Sequence, residues 1–300
     1  MNDTNDPNDP DDPDDIDEPD EMDDMDPETP DWRREFAEEA RSERPDVGRL
    51  CLLIAAVADP ALGQRGIDAA QIELDRLAGL LPHGLAGARA WAAATAELLG
   101  SACHFRGAAA DYERLESSLL PEVLRRRRGL PILLSVVWIE VARRAGAPVY
   151  GVALPGHFVV GFGPREDRVL VDPFDGGRLL TGTDTELLVA GATGAGLDES
   201  MLSPAAPLET VLRILNNIRA WAAARPEHSA VALWAVDLSL LLPSHPAALR
   251  LERAELLVQR GEFVAGATEL EAYATVLDPV DPAAAAAVRR RAFAARAMLN

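Results

Sequence analysis

The sequence predicts an α+β protein in which one buried helix and a short antiparallel sheet are bracketed by helical segments. Three observations carry that reading. The stretch "PILLSVVWIEVARRAG" from Pro131 is apolar nearly all the way round a helix, as a central buried helix must be. Short β-like runs follow it: "VYGVAL", "GHFVVGF" and "RVLVD". On both sides of this stretch apolar residues recur at three and four positions, and each periodic run stops at a breaker.

Taken in order, residues 1–31 hold sixteen acidic residues and no basic one, so most of the formal charge of −20 belongs to this segment. A run such as "NDPNDPDDPDDIDEPDEMDD" cannot bury enough apolar surface to offset its ordering entropy. It is expected to be a disordered, solubilising tail, with docking against a basic partner as the alternative. Residues 32–119 read as an N-terminal region of three packed helices: "LCLLIAAVADP", "IDAAQIELDRLAGLLP" and "LAGARAWAAATAELLGSACHF". The core spans 120–205. Its helix starts at Pro131, where a first-turn proline is favoured, and ends at Gly146, whose missing Cβ suits a C-cap. "GPRED" supplies a hairpin loop, and Gly176 and Gly177 of "DPFDGG" supply positive φ for a tight turn. Residues 206–300 return to helix in five segments. "RAELLVQRGEFVAGATELEAYATVLDP" resembles one tetratricopeptide-type repeat, with small residues at Ala254, Gly261 and Ala267 where paired helices touch.

Several function classes are disfavoured. No run nears the roughly 18 apolar residues of a membrane helix, and the N-terminus lacks the basic flank and hydrophobic stretch of a signal peptide. A cytoplasmic protein without membrane association is the expectation. Cys51 and Cys103 are too few for a disulfide framework or a structural zinc site and read as free buried thiols. His83, His104, His228 and His245 lack metal-ligand spacing and read as caps near helix ends; neither a metal nor a cofactor is expected. Arg125 to Arg128 form the one dense basic cluster, open to three readings: a solvated loop, an anion site, or a contact for the acidic tail. It is too small for a nucleic-acid interface.

The core carries the ordered parts of a cysteine acyl-transfer site. Such a site needs a cysteine at the start of a buried helix, where the helix dipole favours thiolate, then a strand histidine and an acidic residue that orients it. Here a helix begins at "RRGLP", His157 opens "HFVVGF" and Asp172 ends "VLVDPF". This layout resembles the transglutaminase/papain-like core, whose Gly-x-Pro turn, histidine and Asp-Pro pair match Gly146–Pro148, His157 and Asp172–Pro173. Counting back fifteen residues from Gly146 lands on Pro131, where the resemblance implies the cysteine. Proline offers neither a nucleophile nor a backbone N–H.

That substitution, with "HFRGAAADY", "LPEVLRRRRGLPILLSVVWIEVARRAG", "LPGHFVVGF", "VDPFDGGRLL" and "VLRILNNIRAW", resembles the SirB-type transglutaminase-like family over nearly all of residues 47–279. Members of that family are mostly bacterial proteins without an established activity; one branch is associated with virulence-gene regulation, and a related domain occurs in some F-box proteins. The resemblance implies a catalytically degenerate core that binds a peptide or protein, with the C-terminal helices as scaffold. His157 and Asp172 form its residual dyad, with Arg128, Gly129, Gly156, Phe158 and Phe174 as the expected binding residues. The dyad is equally readable as a polar strut between strands. Two rivals stand: a hydrolase or acyltransferase of altered mechanism using His157 and Asp172 with Cys103, water or substrate as nucleophile, and an adaptor acting through the helical repeats. Ser135 is expected to bond the carbonyl four residues back, and Asn216 and Asn217 to form a buried link between domains.

Overall fold

The acidic tail expected over residues 1–31 lies, but for its last two residues, outside the part of the chain that the computed structural model describes, residues 30–298. The N-terminal region holds four helices where three were expected: α1 (Trp32–Ala40), α2 (Val47–Ala58), α3 (Gly63–Ala78) and α4 (Ala88–Thr95). The additional one is α1. Its charged majority masks a stripe of Trp32, Phe36 and Ala40, all buried at helical spacing, and Asp31 caps it by accepting from the Arg33 and Arg34 N–H groups. Beyond Thr95, α4 widens into π-helical turns through Ala102, which ends the helix before Gly107.

The core opens with a short helix α5 (Leu120–Arg126) and then the central helix α6 (Pro131–Arg144). Every residue of α6 from Pro131 to Trp138 is buried, and Gly146, with φ of 93°, turns the chain away at its end. Four antiparallel strands follow in sequential order: β1 (Val149–Val152), β2 (Val159–Phe162), β3 (Val169–Asp172) and β4 (Arg178–Leu180). β4 was not expected, being three residues long and half exposed. Nor was the next helix, α7 (Gly182–Thr193), whose apolar residues are spread around its circumference and which buries only Thr185 and Val189.

Strand alternation divides the sheet between two layers. Phe158, Val160, Phe162 and Val171 join the main core with α6, whereas Val152, Val159 and Leu170 pack with Val189 of α7. The sheet is therefore covered on both faces, which fixes its register: a slip of one residue would exchange the two sets.

Five helices complete the chain: α8 (Pro207–Ala223), α9 (Ser229–Leu241), α10 (Ala248–Gln259), α11 (Phe263–Leu277) and α12 (Pro282–Ala297). Buried residues of α8 and α9 belong to the main core, while α10 to α12 close a smaller core around Ala254, Ala267, Leu270 and Ala292. Of the three small residues expected at the α10/α11 contact, Ala254 and Ala267 are there; Gly261 instead forms the turn, with φ of 83°. Its place is taken by Gly266, where a Cβ would fall 2.6 Å from a Val258 methyl and 3.0 Å from the Ala254 carbonyl oxygen. Nor are Asn216 and Asn217 a buried link. Asn216 is exposed and accepts from Arg219, and it is Arg219 that ties α8 to Glu252 of α10.

Candidate functional site

Five segments distant in sequence build the site. The first is the turn before β2. Gly156 adopts φ of 69°, and a Cβ there would fall 2.8 Å from the Ala192 Cβ of α7, so only glycine lets this turn sit under that helix. His157 stands in the turn, ahead of the strand rather than as its first residue. Its backbone is held on both sides. Arg213 of α8 donates from Nη2 to the His157 carbonyl at 2.7 Å, and Ser135 of α6 donates from Oγ to the Phe158 carbonyl at 3.2 Å. Ser135 thus bonds across to the sheet rather than to the carbonyl four residues back, because its helix face packs directly on the entry to β2.

The second segment is the end of β3. The β2/β3 register of Val160 opposite Val171 brings Asp172 beside the His157 turn, and His157 Nε2 lies 2.9 Å from Asp172 Oδ2. The other carboxylate oxygen accepts the Phe174 N–H at 2.9 Å, so both are engaged. Since a carboxylate only accepts, Nε2 carries the proton of the neutral ring and Nδ1 is left as an acceptor; no hydrogen bond engages Nδ1 among the described residues. Asp172 is buried and the His157 side chain is 13% exposed, so solvent reaches only a small part of the residue.

Phe174 and Tyr112 supply the aromatic wall. Phe174 meets the His157 ring edge-on at 6.1 Å and the Tyr112 ring at 6.1 Å. This placement depends on Gly107 of the third segment: its N–H donates to the Phe174 carbonyl at 2.9 Å, and a Cβ there would lie 1.9 Å from two Phe174 ring carbons. Phe158 is fully buried beneath the site, with the Arg213 guanidinium 5.7 Å from its ring centroid. It also lines an open cavity of about 210 Å³ bounded by Asp46, Glu140, Arg143 and Tyr150, which His157 does not line. Pro131 opens α6 one turn before Ser135 on the same face, about 6 Å along the axis at 1.5 Å per residue.

The arginine cluster is divided among partners inside the fold. Arg126 and Arg128 both reach the buried Asp111, which also accepts the Ala108 N–H. Arg125 pairs with Glu122, and Arg127, with φ of 55°, donates to the Cys103 carbonyl. Gly129 is buried, with a Cβ there 2.7 Å from a Val123 methyl. Both cysteines are free and buried as expected. Among the described residues no hydrogen bond joins Cys103 to His157. Burial, and next the negative charges of Glu140 and Asp46, push the Cys51 thiol far above its ordinary range.

Neither Tyr112 nor Arg213 stands out by residue type or spacing. Each lies in a motif of the sequence, "HFRGAAADY" and "VLRILNNIRAW", but only tertiary structure brings those motifs to the histidine.

Residues 68–216 match the family model of the transglutaminase-like superfamily, and residues 218–300 match that of the tetratricopeptide repeat. The chain carries a transglutaminase-like domain followed by tetratricopeptide repeats. A UPF0162 protein of Xylella fastidiosa is 36% identical over 169 residues, covering 54% of this chain and 59% of the relative. One from Pseudomonas aeruginosa is 40% identical over 104 residues, 34% of this chain and 38% of that protein. F-box only protein 21 of Mus musculus is 31% identical over 101 residues, 31% of this chain and 16% of its own length. The chain thus spans less than two thirds of the length of these curated relatives. They bear out the resemblance to the SirB-type family. Pro131, His157 and Asp172 all lie within the residues matched to the transglutaminase-like model, and the tetratricopeptide repeats suggest protein–protein interaction in general.

Proposed function

We propose that this chain is a catalytically degenerate transglutaminase-like protein that binds a peptide or protein beside His157, with its C-terminal helices as scaffold. The observation that carries the reading is Pro131. It opens the helix whose next turn bonds the His157–Phe158 segment, yet it has no nucleophilic atom and no N–H to stabilise an oxyanion. The buried Asp172, the oriented imidazole and the aromatic wall stand beside that segment. Such a surface retains what a substrate-binding site needs and lacks what acyl transfer needs.

A second reading has one observation in its favour: the unbonded Nδ1 of His157 could take a proton from water, as in a hydrolase of altered mechanism. Peptide arrays probed with the wild-type chain and with His157→Ala separate the two. The binding reading expects a defined set of peptides retained by the wild type and lost in the variant at unchanged melting temperature. Nitrophenol released from p-nitrophenyl acetate in a His157-dependent manner would instead favour the hydrolase, and unchanged peptide retention in the variant would move the function to the repeat helices.

A further inference from the structure

We propose that Arg213, Tyr112 and His157 together receive the C-terminal residue of a peptide, its carboxylate on the arginine and tyrosine and its amide N–H on the imidazole. This rests on the reading of the His157 surface as a binding site and names what it binds.

Arg213 is the starting point. Glu209 precedes it by four residues on α8, the spacing at which a glutamate and an arginine pair on a helix surface. The guanidinium leaves that partner and turns inward, to the His157 carbonyl at 2.7 Å and the face of Phe158. Among the described residues no carboxylate comes within ion-pair distance of it. Asp172, the acid bonded to the histidine, accepts from His157 and from the Phe174 N–H, and no hydrogen bond joins it to Arg213 among the described residues. A part-buried arginine held by one carbonyl keeps most of its planar fork of donors for a ligand, and that fork fits a carboxylate. Burial also presses the guanidinium below its ordinary pKa, which an arriving anion would relieve.

The neighbours fit the same ligand. Tyr112 is 52% exposed and its ring meets Phe174, which in turn meets His157; its hydroxyl is a second donor, its pKa raised by burial, with the Arg213 charge lowering it and the Asp172 charge raising it. Among the described residues His157 Nδ1 has no hydrogen-bond partner, and as an acceptor it complements a peptide N–H. In a C-terminal residue the amide N–H and the carboxylate are separated by a single Cα, so one compact site can take both. Phe174 lies between the Tyr112 and His157 rings and offers apolar surface to whatever precedes the last peptide bond. An acidic side chain or inorganic phosphate would use the arginine and leave the imidazole acceptor idle.

The test follows the His157 imidazole resonances of the full chain by NMR, assigned by their loss in His157→Gln. The probes are hippurate, which carries an aryl group, one amide N–H and a carboxylate; hippuramide, its neutral amide; and inorganic phosphate. The expected result is a saturable shift with hippurate that is at least about tenfold weaker with hippuramide and is lost in Arg213→Gln. Equal binding of hippurate and hippuramide would overturn the carboxylate assignment and leave peptide binding standing. A shift with phosphate but not hippurate would overturn the peptide terminus, and no shift with any probe would remove both proposals. Should Arg213→Gln melt, Tyr112→Phe decides, since it removes one hydroxyl from a half-exposed ring: weakened hippurate binding supports the site and unchanged binding overturns it.

Discussion

Asp172 performs two tasks that substitution can separate. Its Oδ2 orients His157 through Nε2 at 2.9 Å, and its Oδ1 accepts the Phe174 N–H at 2.9 Å. Asp172→Ala strips both partners inside a buried site, where each unsatisfied group costs about 1–3 kcal/mol. Because the His157 side chain is partly exposed, the combined loss is placed at about 2–4 kcal/mol, several degrees of melting temperature for a chain of this size. Asp172→Asn keeps an acceptor for the Phe174 N–H and presents an amide donor to Nε2. It should cost about 1 kcal/mol and move the imidazole proton from Nε2 to Nδ1, converting the free acceptor into a donor. Urea unfolding gives the first quantity, and two-dimensional proton–nitrogen correlation of the histidine ring gives the second. The reasoning is refuted if neutral His157 in the wild type carries its proton on Nδ1, or if Asp172→Asn leaves the tautomer unchanged.

Three further outcomes test the packing. Gly107→Ala should displace the Phe174 ring and destabilise by about 1–3 kcal/mol, and adding Phe174→Ala should recover most of that loss, which a double-mutant cycle measures. Gly266→Val should part α10 from α11; hydrogen exchange should show faster opening of α10 to α12 while α6 stays protected. Burial holds the Glu140 carboxyl above its ordinary range, despite Arg143 and Arg144 beside it. Between the ordinary carboxylate value and that raised one the folded chain keeps a proton the unfolded chain has released, so stability falls as pH rises through that window. Glu140→Gln should flatten the fall in pH-dependent urea denaturation.

The parts of the molecule legible in the sequence are those set by local physics. Pro131 and Gly146 bound α6 because one fits a first helical turn and the other a left-handed C-cap, and neither needs a tertiary partner to do so. His157 and Asp172 were legible through strand order, since a hairpin with a short loop brings its two outer ends together. By contrast α7 carries no apolar stripe, because it covers the sheet mainly through Val189. Arg213 reads as a helix-surface residue beside Glu209, and only the approach of α8 to the His157 turn changes its partner. The four consecutive arginines read as one patch, whereas with the left-handed backbone at Arg127 they divide among three partners: Glu122 for Arg125, Asp111 for Arg126 and Arg128, and the Cys103 carbonyl for Arg127.

The central claim is that Pro131 occupies the nucleophile position of an otherwise assembled site. Replacing Pro131 with cysteine in a Cys51→Ser, Cys103→Ser background, and following the rate of iodoacetamide alkylation against pH, tests it most directly. The account predicts a thiol at least about one unit more acidic than the 8.5 of free cysteine, returning toward that value when His157→Gln is added. An ordinary thiol, or one indifferent to His157, would contradict it.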